Sequence, residues 1–216
     1  QEEYKPSRFE RWLSEKLKIN TNDAIAIVSV TLAVILFVGL FILLPSFLAS
    51  FLPDDISSYL RSLLEGLIRI AIFLGYLAAV SAMNDIRRTF MYHGAEHKVI
   101  AAFEHDAPLT PESAAKYSRL HPRCGTSFLL IVMVVAVLVY GIFPFTVWWQ
   151  RVLVRVLMLP VVAGLSYEVL KLLSKSENPI VKALRAPGLA LQYLTTKEPT
   201  HDMLEVSIAA FKKVLV

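Results

Sequence analysis

The sequence predicts an all-α, polytopic membrane protein with about four transmembrane helices and a cytosol-facing, histidine-rich helical insert. Three observations carry this expectation. Hydrophobic residues make up 56% of the 216 residues, above the roughly 45–50% usual in soluble domains, and mean hydropathy is +0.55. Charged residues are only 19% and are clustered, so that residues 24–53 and 124–150 carry none. Four of the five histidines fall between the apolar stretches, within residues 84–123.

Residues 1–22 are polar and mixed in charge. They do not read as a signal peptide, because the apolar run after them is too long and lacks a small-residue cleavage pattern. The opening Gln1 creates the expectation of a further segment upstream. Residues 24–83 read as a first transmembrane hairpin. Ala24 to Leu44 is long enough for a hydrocarbon core of ~30 Å, and Pro45 and Pro53 are expected to break or bend the chain before a polar turn at Asp54 and Asp55. The second span, Ser58 to Met83, contains Arg61, Glu65 and Arg69. Their spacing places them on one helix face. Charges in hydrocarbon cost about 2.5–3.5 kcal/mol each at a helix centre, so this trio reads as an ion ladder facing neighbouring helices or as the lining of a polar path.

Residues 84–123 form the insert. A helix is expected from Asp85 to Phe103, then a loop at Asp106-Ala107-Pro108. A short helix follows, with Thr110 as N-cap and Pro111 at its first position. Residues 124–173 read as a second hairpin. Its third span is uncharged and ends at Trp148 and Trp149, which suit an interfacial belt. The fourth span, Arg151 to Leu173, contains Pro160 and Gly164, and Arg151 and Arg155 can snorkel to the headgroups at its outer edge. Residues 174–216 form an amphipathic basic tail in which Val206, Ala209, Ala210 and Phe211 mark the apolar face of a final helix.

Lysine and arginine number five in the N-terminal segment, six in the insert and seven from Lys171 to Lys213, and the 53–58 turn has none. The positive-inside rule then puts both termini and the insert on the cytosolic side of the cell membrane. The lipid bilayer is the expected partner. A net charge of +4 is too mild and scattered for nucleic acid, and a basic membrane-facing edge accounts for it. No phosphate-binding glycine loop and no nucleophile elbow occurs. The single cysteine, Cys124, rules out an intrachain disulfide and is left as a free thiol, a core residue or a metal ligand.

The sharpest local pattern is His93-Gly94-Ala95-Glu96-His97. On a helix His93 and His97 share a face and can hold one divalent ion, and in inverted zinc peptidases the glutamate of this H-x-x-E-H order is the general base. Histidines near a membrane surface also serve simply as hydrogen-bonding groups, and Gly94 is unfavourable inside a regular helix. A second donor pair, His121 and Cys124, precedes the third span, and Glu168 lies near the inner end of the fourth, where pairing with Lys171 is the alternative. The candidate set is therefore Glu96 as catalytic base, with His93, His97, His121, Cys124 and Glu168 as ligands to a divalent metal, zinc by donor chemistry. Glu104 lies on roughly the same helix face as His97, and His105 and His201 read as solvated or capping residues.

Several stretches are similar to the YqhQ-like family of bacterial membrane proteins. They are Tyr92 to Lys98, His121 to Phe128, Pro160 to Glu168 and Pro187 to Gln192, followed by Thr195 to Pro199. The similarity runs from roughly residue 60 onward. It implies a membrane protein, a metal-dependent enzyme label without an assigned reaction, and an additional N-terminal region with a glycine-rich motif. Three functions follow. The first is a membrane metallohydrolase in which Glu96 activates a zinc-bound water. The second is a non-enzymatic scaffold or assembly factor with a structural His/Glu/Cys cluster. The third is a transporter or channel, which four spans per protomer would provide only as a homo-oligomer.

Overall fold

The computed structural model describes residues 7, 12, 20–53, 55–142, 148–176 and 178–215. Among these every regular element is helical. The chain forms two units, residues 1–53 and 54–216.

In the first unit, α1 (Thr21–Val38) passes through a π-helical turn at Gly39–Leu43 into α2 (Leu44–Ala49). Pro45 was expected to break or bend this run; the helix continues through it, after the π-helical turn, and ends at Ala49. A proline ring clashes with the carbonyl four residues earlier, and a wide turn ahead of it removes that clash. The whole stretch Asn22–Ala49 is long and apolar enough to cross a membrane, and it is apolar on every side, as a lipid-facing span must be.

The second unit holds two further helices of spanning length, α3 (Ser58–Ser81) and the interior of α7 (Trp148–Lys175), with the shorter apolar α6 (Gly125–Gly141). At 17 residues, α6 lies at the lower limit for a span. Ser57 caps α3, its hydroxyl accepting from Leu60 N–H. Glycines set the closest helix contacts. A Cβ on Gly66 would come 2.4 Å from a Val137 methyl, and one on Gly188 would come 3.1 Å from Ser127 Cβ. Small residues of this kind let membrane helices approach closely.

Charges of α3 and α7 pair with one another. Buried Glu65 accepts from Arg69 one turn on (2.9 Å) and from Arg155 of α7 (3.3 Å). Arg155, expected to snorkel outward, instead reaches across to the carboxylate that Arg69 also pairs with. The Tyr140 hydroxyl donates to Arg155 O at 3.1 Å, tying α6 into the same cluster. The belt role expected of Trp148 and Trp149 concerns side chains outside the described set.

The remaining helices build the polar end of the unit. α4 (Asn84–Glu104), α5 (Pro111–Ala114) and α9 (His201–Val214) share a small core of Ala95, Val99, Ala102, Ala114, Met203, Leu204 and Ile208. Thr110 caps α5. The buried face of α9 is Met203, Leu204, Ser207 and Ile208, with Phe211 half-buried. Val206, Ala209 and Ala210, which with Phe211 mark the apolar face read from the sequence, are exposed. The stripe that packs is the one facing the alanines and Val99 of α4, which a two-sided apolar pattern does not identify.

α8 (Pro179–Thr195) packs on α6, α3 and α7 and had no counterpart among the expected elements. It hands the chain to an extended strap, residues 196–200, that crosses α4. Lys197 N–H donates to Phe90 O of α4 at 2.8 Å. A Cβ on Gly94 would lie 2.2 Å from Lys197 O, so the crossing requires glycine there. Gly94→Ala should therefore lower stability by about 1–3 kcal/mol through overpacking. Gly75→Ala, at a position with nothing within 4 Å, should leave stability unchanged or raise it by up to about 1 kcal/mol through helix propensity. Thermal unfolding of both variants in detergent checks the contrast, and equal melting temperatures would contradict it.

Candidate metal centre

Three segments meet at one point. α4 supplies His93 and His97, one turn apart on the same face. Cys124 is the N-cap residue of α6. The end of α8 and the strap close the third side. His93 Nδ1–H donates to Thr195 O (2.8 Å), and His97 Nδ1–H donates to Arg119 O (2.6 Å). A carbonyl oxygen can only accept, so in both rings the proton sits on Nδ1 and the neutral imidazole carries its lone pair on Nε2. His93 Nε2 lies 3.4 Å from Cys124 Sγ. The ligand atoms of His93, His97 and Cys124 all lie within 4.8 Å of one another.

The surroundings acidify the thiol. Burial alone would keep Cys124 protonated, but hydrogen bonding with His93, His97 and Thr126 outweighs it and brings the pKa down to about 5. The Thr126 hydroxyl is 2.8 Å from Sγ, and Thr126 N–H points to the same sulfur at 3.4 Å. A cap position at a helix N-terminus favours the anion further. His93 responds in the opposite sense: its hydrogen bond with Cys124 raises its pKa against the effect of burial, aided by the Thr195 carbonyl. Without an ion, the sulfur and His93 Nε2 share one proton across 3.4 Å. A divalent cation would replace the shared proton.

The other expected site residues lie as follows. His121 is buried beside the cluster, its ring centroid 5.8 Å from that of His97. Its Nε2 is 3.1 Å from Glu104 Oε2, and its Nδ1 accepts from Arg123 N–H. Both nitrogens are thereby engaged away from Cys124. Glu104 also binds the Arg123 guanidinium. Glu96 is exposed and lines a groove between α4 and α9 with Tyr92, Val99 and Phe211; it acts on His93 through its charge. Glu168 is exposed on α7, 3.6 Å from Lys171. His105 bonds to the Ala101 carbonyl of its own helix, and His201 lies between Glu112 and Glu205.

Residues outside the expected set hold the site together. Gln192, fully buried, donates from Nε2 to His121 O and Ser127 Oγ and accepts His121 N–H at Oε1, each at 2.8 Å. It fixes the loop before Cys124 to the start of α6. Arg119 donates to Thr196 O (2.7 Å) and stacks over Tyr193. Lys98, also buried, closes α5 by donating to Ala115 O and Tyr117 O, and pairs with Glu198 of the strap. Their sequence signal is weak. An isolated glutamine or lysine between apolar residues becomes informative only once its backbone partners are known.

The family model described as a protein of unknown function, DUF1385, matches residues 4–216. A curated relative, the uncharacterized protein YqhQ of Bacillus subtilis, is 46% identical over 153 residues, which are 70% of this chain and 48% of the relative. The chain thus spans about half the length of the curated relative it matches. No solved structure matches it. The match over nearly the whole chain agrees with the resemblance read from the histidine, cysteine and proline-glycine stretches, and the chain belongs to the YqhQ-like DUF1385 family.

Proposed function

We propose that this chain is a membrane-embedded zinc protein whose ion is held by His93 Nε2, His97 Nε2 and Cys124 Sγ, with hydrolytic chemistry at the ion. One observation carries the reading: both imidazoles have Nδ1 committed to a backbone carbonyl and Nε2 turned toward the same low-pKa sulfur. Orientation of ligand histidines by carbonyls through the opposite nitrogen is the usual second layer of a zinc site. Two nitrogens and one thiolate suit zinc better than magnesium or calcium, which take oxygen ligands.

A zinc ion held by His93, His97 and Cys124 would supply Lewis acidity and activate a water, which is the chemistry a hydrolytic site needs. A hydrolase acting at the cytosolic surface of the cell membrane is the corresponding function, with the side assigned from the lysine and arginine distribution. Glu96 is the proposed base. A structural ion is the second reading. The cluster joins α4 to the start of α6, with His93 also bonded to the end of α8, so an ion there would also lock the fold. Glu96→Gln separates the two, since loss of cellular function with zinc retained supports the enzyme and full function supports the staple.

Purified protein should contain about one zinc per chain, because binding needs only these three side chains and a water. His93→Ala, His97→Ala and Cys124→Ser should each lose it. His121→Ala and Glu168→Gln should keep it. Metal-free wild type, or loss on Glu168→Gln alone, would contradict the assignment. After chelation, Cys124 should titrate near pH 5, so thiolate absorbance relative to Cys124→Ser should persist from neutrality downward and vanish only below that pH. In His93→Ala the thiolate should appear only as pH rises toward the ordinary range of ~8.5. An unchanged midpoint in that variant would show that His93 is not the controlling partner.

A further inference from the structure

A second site lies at the same end of the bundle as Cys124 and uses none of the three zinc donors. Arg123, Tyr167, Leu170, Lys171, Ser174 and Lys175 line an open cleft of about 460 Å³. Five of the six lie on one face of α7, at helical spacing, and the sixth immediately precedes the N-cap of α6. Three cations from two elements therefore face one space. Two carboxylates stand nearby. Glu168 pairs with Lys171 at 3.6 Å, and Glu104 pairs with Arg123. Glu104 takes only part of a guanidinium that has five N–H donors, and the rest are available to an oxygen-rich anion.

The position of the cleft along α7 identifies the anion. The apolar stretch of this helix, Leu153–Lys175, ends in the two lysines, so they sit where a span leaves hydrocarbon. On the same face Leu170 lies about one turn deeper than Lys175, and the exposed ring of Tyr167 lies about one turn deeper than Lys171 and two deeper than Lys175. A cationic rim above an apolar and aromatic wall matches a phospholipid, with its phosphate at the rim and its glycerol and first methylenes below. Basic residues just inside a span attract anionic lipid for the same reason.

We propose that this cleft seats the phosphate of an anionic phospholipid. The shared chemistry is a phosphate group, so the test separates lipid from free phosphate. The purified chain in uncharged detergent would be titrated with dioctanoyl phosphatidic acid, dioctanoyl phosphatidylcholine and inorganic phosphate. The wild type should bind the anionic lipid at least about tenfold more tightly than the zwitterionic one, and Lys171→Gln/Lys175→Gln should lose about that factor. Lys212→Gln/Lys213→Gln on α9, which removes the same charge elsewhere, should bind like wild type. If the double variant at 171 and 175 does not fold, Arg123→Gln should show the same selective loss. Equal affinity for the two lipids, or an equal loss in the α9 control, would overturn the proposal. Inorganic phosphate binding as tightly as phosphatidic acid would overturn the lipid assignment and leave a soluble phosphate compound as the ligand. Zinc content plays no part in the measurement, so its outcome is independent of the metal assignment.

Discussion

The polar end of this protein depends on one close approach, the backbone of Lys197 lying directly against α4 at Gly94. Helix faces are normally kept apart by Cβ atoms, and here none is present. The strap can therefore hydrogen-bond to Phe90 O and bring the Thr195 and Thr196 carbonyls within reach of His93 and Arg119. His93 is then fixed in one tautomer, and the Arg119 backbone does the same for His97. The mid-helix glycine costs roughly 1 kcal/mol of helix propensity. In return the site acquires two oriented imidazoles, which free rotation about χ1 and χ2 would not maintain.

The same logic of pairing governs the apolar part. Glu65, Arg69 and Arg155 would each be costly in hydrocarbon, and together they form a bridged cluster across α3 and α7. Breaking a buried pair by removing one partner typically costs more than the pair itself contributes. Such a cluster thus fixes the register of the two helices more than it stabilises them. A rigid bundle below and a glycine-permitted crossing above together fix Cys124, the cap of α6, opposite the histidine face of α4.

Much of this was legible in the residues. Uncharged runs marked α1 and α6, and the i, i+4 spacing of His93 and His97 put two imidazoles on one face. The proximity of Cys124 to a span start made it a plausible third donor. Other features were hidden for identifiable reasons. α8 is obscured in the sequence because proline and glycine disfavour a helix interior, whereas here Pro187 lies inside the helix and Gly188 is a contact against Ser127. The engagement of His121 with Glu104 spans 17 residues and a loop, so no local spacing encodes it. The groups that orient the imidazoles are carbonyls of Thr195 and Arg119, and every residue has a carbonyl. What Glu96 faces depends on where α9 packs, and the apolar pattern of α9 was ambiguous.

Convergence of two imidazole nitrogens and one thiolate on a single ion is the central claim, and X-ray absorption at the zinc edge of the loaded protein tests it most directly. The account predicts one sulfur at ~2.3 Å and light-atom ligands at ~2.0–2.1 Å, with multiple scattering from two imidazoles. A shell without sulfur, or with a single imidazole, would contradict it.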